Sequence, residues 1–321
     1  MRHFISLTEI GTDNLAGLVH HSLQIAAGKK SHASLLAGKV IGIYFRGTST
    51  RTRTAFTVGA LRAGASTISY GPNDLQLATG ETLADTGRVL AGYLDALVIR
   101  TNASDEEMKA LAAQDQMAII NAMSAEEHPT QAVADLVTIH ESLGRLRGVH
   151  VLYVGEGNNS AAALALAVAM TAGMRLTLVT PKGYGLPIAA LEKADKFARM
   201  TGAVIDHHHD TRRLPLGVDV VYTTRWQTMG VPKADPDWRE RFRPLAVTRE
   251  LMARVSKPSG TIFLHDLPAV RGEDVENEVL DGPQSRAFVQ ARHKMTSATA
   301  VLSWCIGAEA DRTHTPMQTI Q

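Results

Sequence analysis

Short apolar runs alternate along this chain with longer stretches of helical periodicity, and the alternation sets the expected architecture. Val40-Ile-Gly-Ile-Tyr-Phe45 is rich in β-branched and aromatic residues and predicts a buried strand, with a helix following from Thr50 to Ala63. Ala96-Leu-Val-Ile99 and Met117-Ala-Ile-Ile120 predict further strands. A helix is expected from His128 to Ser142, with Pro129 in its first turn, where a missing N–H costs little. After Gly144-Arg145-Leu146-Arg147-Gly148 the cycle restarts. Strands are expected at His150–Val154, Arg175–Val179, Asp219–Tyr222 and Gly260–Leu264, and helices at Ser160–Ala172 and Ile188–Thr201.

Strands that alternate with helices imply parallel sheets covered on both faces. The fold class expected is therefore α/β, with two parallel-sheet α/β domains and a C-terminal helix, from about His293 to Glu309, packing back on the first. The boundaries expected are 1–142 together with 293–321 for the first domain and 143–292 for the second. The tail after Asp311 is expected to be mobile.

Composition narrows the function classes. The 321 residues suffice for two ordinary domains. Lys plus Arg number 33 against 32 Asp plus Glu, a net charge of +1, so no global field draws the chain to nucleic acid or an anionic membrane. An anion site must be local. The single cysteine, Cys305, allows no intrachain disulfide and fits a reducing cytoplasm. The segment after Met1 carries Glu9 and Asp13 and lacks the apolar core of a signal peptide. The longest apolar run, Ala161 to Met170, is too short to span a bilayer and predicts a buried helix.

The most informative segment is Phe45-Arg46-Gly47-Thr48-Ser49-Thr50-Arg51-Thr52-Arg53-Thr54, where a predicted strand meets a predicted helix. Free N–H groups and the dipole at such a helix start favour an anion. Hydroxyls and the guanidinium groups of Arg51 and Arg53 are expected to converge there, and Arg51 can grip a phosphate with two charge-assisted bonds. Simple N-capping is the plainer alternative, although it needs only one hydroxyl. Gly155-Glu156-Gly157-Asn158-Asn159-Ser160 lies between a strand and a helix, as a dinucleotide fingerprint does, but has Ser160 in place of the third glycine. The run His207-His208-His209 is expected in a solvated loop, since adjacent residues do not converge on a metal as ligands at helical spacing do.

Ser49-Thr50-Arg51-Thr52-Arg53 resembles the carbamoyl phosphate signature of the aspartate and ornithine carbamoyltransferases, and His128-Pro129-Thr130-Gln131 resembles their second motif. Asp85-Thr86-Gly87-Arg88-Val89-Leu90 and Arg100 follow in matching order. Gly155-Glu156-Gly157-Asn158-Asn159, Trp226-Gln227-Thr228-Met229-Gly230 and His265-Asp266-Leu267-Pro268-Ala269 are similar to the ornithine branch. The resemblance runs from about residue 1 to residue 307 and implies transfer of the carbamoyl group of carbamoyl phosphate to an amine, without cofactor or metal. By resemblance, Ser49, Thr50, Arg51, Thr52 and Lys294 hold the phosphate. Arg100, His128 and Thr52 donate to the carbamoyl oxygen, and Gln131 accepts from the carbamoyl NH2. Gln76 matches a loop lent to a neighbouring subunit, which implies a homotrimer. Asn159, Thr224, Thr228, Met229, Asp266 and Leu267 fall at acceptor-binding positions.

Four positions depart from the family pattern. Thr224 stands where the ornithine enzymes carry an aspartate for the acceptor's α-ammonium, and Thr228 where serine is usual. Asp266 replaces the cysteine after the motif histidine, and Lys294 replaces an arginine, keeping charge but losing the two-pronged geometry. The donor residues are kept and the acceptor residues rebuilt, so an amine other than ornithine is expected. An ornithine carbamoyltransferase and a non-catalytic protein that binds carbamoyl phosphate are the alternatives. Asp266 itself has three readings: a partner of the acceptor's ammonium, a base, or an ion pair with Arg271 or Lys294.

Overall fold

A computed structural model describes residues 1–28, 33–76, 80–228 and 232–307. The chain divides into two compact units, one of residues 1–134 with 293 onward, the other of residues 135–292. Both are α/β, each built on a parallel sheet. The tail after Asp311 lies outside the described residues.

In the first unit, β1 (Val40–Phe45), β2 (Ser66–Tyr70), β3 (Ala96–Arg100) and β4 (Ala118–Met123) form one sheet in the order β2-β1-β3-β4. The residues of β3 and β4 are buried throughout, as the continuous apolar runs in the sequence require when helices cover both faces. Helix α1 (Leu7–Ala26) starts at Ser6, whose hydroxyl accepts from the Thr8 N–H and donates to Glu127 at 2.6 Å. Glu127 also accepts from the Leu7 N–H, so one buried carboxylate ties this helix start to the segment after β4. The covering helices include α2 (Arg51–Arg62), α3 (Leu83–Ala91) and α4 (Glu106–Leu111). Thr82 caps α3 by accepting from the Asp85 N–H.

In this first sheet, the order in which successive strands are laid down reverses between β1 and β3. An open parallel sheet has its crevice at the carboxyl ends of the strands on either side of such a reversal. The register pairs Phe45 with Arg100 there, so α2 begins beside the end of β3.

In the second unit, β5 (His150–Val154), β6 (Arg175–Val179), β7 (Val204–His208), β8 (Val220–Thr223) and β9 (Ile262–His265) are parallel, in the order β7-β6-β5-β8-β9. Its reversal lies between β5 and β8. Helix α6 (Asn159–Ala169) is buried along its whole described face, which matches its run of alanines and leucines. Helix α5 (Pro129–Leu143) precedes β5, and α7 (Ile188–Thr201), α8 (Trp238–Phe242), α9 (Arg249–Val255) and α10 (Asn277–Leu280) follow in turn. Asp135 binds this sheet from within. Its two oxygens accept from the Tyr222 hydroxyl at 3.1 Å and the Gln290 amide at 2.7 Å, and Gln290 in turn accepts from the His265 N–H at 2.9 Å. This buried chain of bonds sets the height at which β8 and β9 end.

The last helix, α11 (Ala287–Ile306), begins six residues before the expected His293. From His293 on it belongs to the first unit and packs on α2, where a side chain on Gly59 would strike Thr299. The sequence also conceals β7, which takes in His207 and His208 and therefore corrects the expectation of a solvated loop. His207 and His209 share the Thr180 hydroxyl at 2.9 and 3.1 Å, and among the described residues no cluster suited to a metal is found. No helix among the described residues is long and apolar enough to cross a membrane.

Candidate active site

The expected donor residues gather at the carboxyl end of the first sheet. Helix α2 follows β1 through a short turn. Thr50 occupies its N-cap position without any side-chain capping bond, so capping does not account for the hydroxyl-rich sequence. Ser49 and Arg51 are half-buried and Thr52 is buried. The expectation that both guanidinium groups converge needs correction. Arg53 turns away, bonding the Phe45 carbonyl and lying 5.3 Å over the Phe45 ring, because the next helical positions rotate its side chain back toward β1.

Arg100 closes β3, is buried, and donates to the Thr52 hydroxyl at 3.4 Å. His128 and Gln131 begin the segment that becomes α5, and both are buried. His128 lies near Thr130, with Nδ1 and the hydroxyl 3.4 Å apart. Burial, then Lys294 and Arg100, holds this imidazole well below the usual histidine range. It is therefore neutral at physiological pH and can offer one ring N–H without carrying charge. Lys294, brought in by α11, donates to the Gln131 carbonyl oxygen. Gln76 is exposed in its loop.

The expected acceptor residues lie at the carboxyl ends of β5, β8 and β9 in the second unit. After β5 the chain turns through Gly155 to Asn158, whose side chain caps α6 by accepting from the Ala161 N–H. Asn159 is the first residue of that helix. The dinucleotide resemblance dissolves here. A Cβ on Gly157 would stand 2.4 Å from the backbone of Gly185 and Leu186, so the glycine serves the chain's own packing rather than a pyrophosphate. Tyr153 and Tyr222 pack edge to face beneath. Burial first, and then nearby carboxylates including Asp266, raises both phenols well above their ordinary range.

Thr224 follows β8 and donates its hydroxyl to Asp266, just after β9, at 2.8 Å. Thr224 and Asp266 are thus direct neighbours. The expected ion pair with Arg271 does not form. That guanidinium makes a two-pronged contact to Asp281 at 2.6 and 2.8 Å and also reaches Asn277. His265 does not pair with Asp266 either. Its Nδ1 stands 3.7 Å from the carboxylate and accepts the Leu267 N–H, so it carries no proton to offer. Among the described residues Asp266, with a side chain 13% exposed, has one neutral donor and no cation. Leu267 adopts φ +56°, a strained conformation for a branched residue, held by that bond to His265. Thr228 gives both its N–H and its hydroxyl to Glu156, at 3.1 and 3.0 Å. Met229 lies outside the described residues.

Sequence reasoning missed Lys233, which ion-pairs with Glu156. Nothing marks a single lysine in a polar stretch. The only hint was Trp238 and Phe242, one helical turn apart, which signal an aromatic face without naming what it covers.

Comparison with known proteins gives a consistent picture. Residues 2–141 match the family model described as aspartate/ornithine carbamoyltransferase, carbamoyl-P binding domain, and residues 147–305 match the Asp/Orn binding domain. The ornithine carbamoyltransferase of Caldicellulosiruptor saccharolyticus is 37% identical over 96% of this chain and 99% of its own length. That of Methanothermobacter thermautotrophicus is 38% identical, again over 96% and 99%. The solved ornithine carbamoyltransferase of Pyrococcus furiosus superposes with a TM-score of 0.87 at 33% identity, over 96% of this chain and 97% of that one.

The neutral state of His128 has a consequence for stability. An imidazole whose pKa is lowered on folding binds a proton only in the unfolded chain, once the pH drops below about 6.5. Stability should therefore fall as the pH is lowered through that value. Replacing His128 with Asn should flatten the fall. Urea midpoints at pH 7.5 and pH 5 check this, and an unchanged slope in the variant refutes it.

Proposed function

This chain belongs to the aspartate/ornithine carbamoyltransferase family of enzymes, and from that premise we propose that it transfers the carbamoyl group of carbamoyl phosphate to the side-chain amine of a diamino acid, releasing phosphate. The acceptor favoured by the names of its relatives is ornithine. This corrects the weight given to another amine by sequence alone. The observation that carries the donor side is the uncapped start of α2, with Ser49, Thr50, Arg51 and Thr52 around it and Arg100 bonded to Thr52.

In this reading the phosphate takes the free N–H groups of α2, that of Thr52 among them, the hydroxyls of Ser49 and Thr50 and a two-pronged grip from Arg51. Lys294 adds positive charge, and Gln76 adds a contact from a neighbouring subunit of a homotrimer. Arg100, the neutral His128 and Thr52 donate to the carbamoyl oxygen. Such fixed donors strengthen as that oxygen gains charge in the tetrahedral intermediate, and they need no reorganisation. Gln131 accepts from the carbamoyl NH2 with its side-chain oxygen. The neutral amine nitrogen bonds to the carbonyl carbon, the carbon–oxygen bond to phosphate breaks, and phosphate leaves with the electron pair. The amine's surplus proton goes to the departing phosphate or to solvent. Asn159, Thr224, Thr228, Asp266 and Leu267 are the acceptor-binding residues, with Met229 added by resemblance.

One observation favours a second reading, an amine other than ornithine. A mostly buried carboxylate without a cation is costly, and an acceptor's ammonium is the simplest partner for Asp266. A carboxylate at position 266 rather than 224 would draw that ammonium to a different place, which suits a diamino acid of another length. The test is phosphate release with a panel of diamino acids and diamines. Turnover fastest with ornithine supports the first reading, and turnover faster with a shorter or longer amine supports the second. In either case Asp266→Asn should raise the acceptor KM at least tenfold and leave carbamoyl phosphate affinity within twofold. Full activity of that variant removes Asp266 from the site.

Two further outcomes are expected. Arg51→Ala should weaken carbamoyl phosphate binding by about 3 kcal/mol, roughly a hundredfold, because a charged partner loses its bonds. Near-normal affinity by calorimetry contradicts it. Mixing inactive Gln76→Ala subunits with inactive His128→Ala subunits should restore part of the activity, since some sites then draw both intact residues. A fully active monomer by light scattering excludes the trimer.

A further inference from the structure

Lys233 has no place in the scheme above, yet its surroundings are among the most specialised in the second unit. Its side chain is 5% exposed. The ammonium lies 4.7 Å from the ring centre of Tyr184, 5.2 Å from that of Phe242 and 5.5 Å from that of Trp238. Aromatic faces on three sides attract a cation and exclude water from it. These rings form one apolar cluster with Trp226. A lysine enclosed in this way needs a negative partner, which is Glu156, itself only 14% exposed.

Glu156 divides its oxygens. One receives Lys233, and the other receives both the N–H and the hydroxyl of Thr228. A threonine hydroxyl has a single proton. With that proton committed to Glu156, the Thr228 oxygen can only accept. Its neighbours on the opposite side of the turn are fixed as well, because the Gly157 N–H bonds the Tyr184 carbonyl at 2.8 Å.

We infer that Lys233 is a positioning residue for the amine acceptor. By neutralising Glu156 within the aromatic box, it orients Thr228 to present a lone pair to an N–H donor of the substrate. The inference rests on the acceptor reading of Thr228 given above. It assigns the acceptor a nitrogen-borne proton at Thr228 and excludes a carboxylate there, since two acceptors would meet without a hydrogen between them.

The test uses the full chain and equilibrium binding as well as turnover, with ornithine and the other panel amines as probes. Lys233→Met keeps the stem and fills the box but leaves Glu156 without its cation. The acceptor KM and Kd should rise tenfold or more, with kcat within threefold and the carbamoyl phosphate KM within twofold of wild type. The pair Glu156→Gln with Lys233→Met makes both partners neutral while a carbonyl oxygen still accepts from Thr228. It should bring the acceptor KM back to within threefold of wild type, as a merely structural lysine would not require. Acceptor KM within twofold of wild type in Lys233→Met overturns the inference, as does a folded double variant no better than the single one. If Lys233→Met does not fold, the double variant decides alone by the same threefold limit. Wild-type turnover with unaffected variants sinks this inference and spares the proposed function, whereas a wild-type chain that neither binds nor carbamoylates any panel amine sinks both.

Discussion

Positive charge crowded at the carboxyl end of the first sheet is the constraint from which the donor chemistry follows. The chain carries a net charge of only +1, so no long-range field can gather a dianion. Instead, Arg100 from the end of β3 and Lys294 from α11 are buried near His128, and burial first, then these two cations, keeps its imidazole unprotonated. A neutral imidazole beside two cations remains a hydrogen-bond donor without adding a third charge that the site would have to desolvate. The helix start beside it adds N–H groups of fixed orientation. Each of these features becomes stronger out of water, which is why they come from strand ends and helix starts rather than from mobile surface residues.

The second unit answers to a different constraint. Several of its carboxylates have defined partners within the chain. Asp135 is satisfied by Tyr222 and Gln290, Asp281 by Arg271, and Glu156 by Lys233 and Thr228. Asp266 departs from that pattern, with one hydroxyl donor from Thr224. Among the described residues Asp266 therefore stands out as a largely buried carboxylate with no cation beside it. Its bond from Thr224 joins the segments that follow β8 and β9.

The fold was legible in sequence wherever burial on both faces produced continuous apolar runs. β1, β5 and β6 were read to the residue for that reason, and α7 was clear from its amphipathic period. β2 and β7 were not, because they lie at sheet edges. Their alternation of exposed and half-buried residues, with serine, threonine and histidine among them, carries a weak hydrophobic signal. The start of α11 was set too late because Ala287 to Arg292 is mixed in character, and burial against its own unit decides that it is helical.

By itself the sequence determined the hydroxyl- and arginine-rich junction of strand and helix, since these are local properties of consecutive positions. It also determined the family, through motifs in a fixed order. Tertiary structure alone decided how distant residues use their hydrogen-bonding capacity. Arg53 turns back to the Phe45 carbonyl. Arg271 belongs to Asp281 rather than Asp266, and Thr228 spends its proton on Glu156, whose other oxygen holds Lys233. Each of these outcomes depends on direction and competition among several partners at once. A linear sequence records which groups are present, whereas only packing fixes which donor reaches which acceptor first.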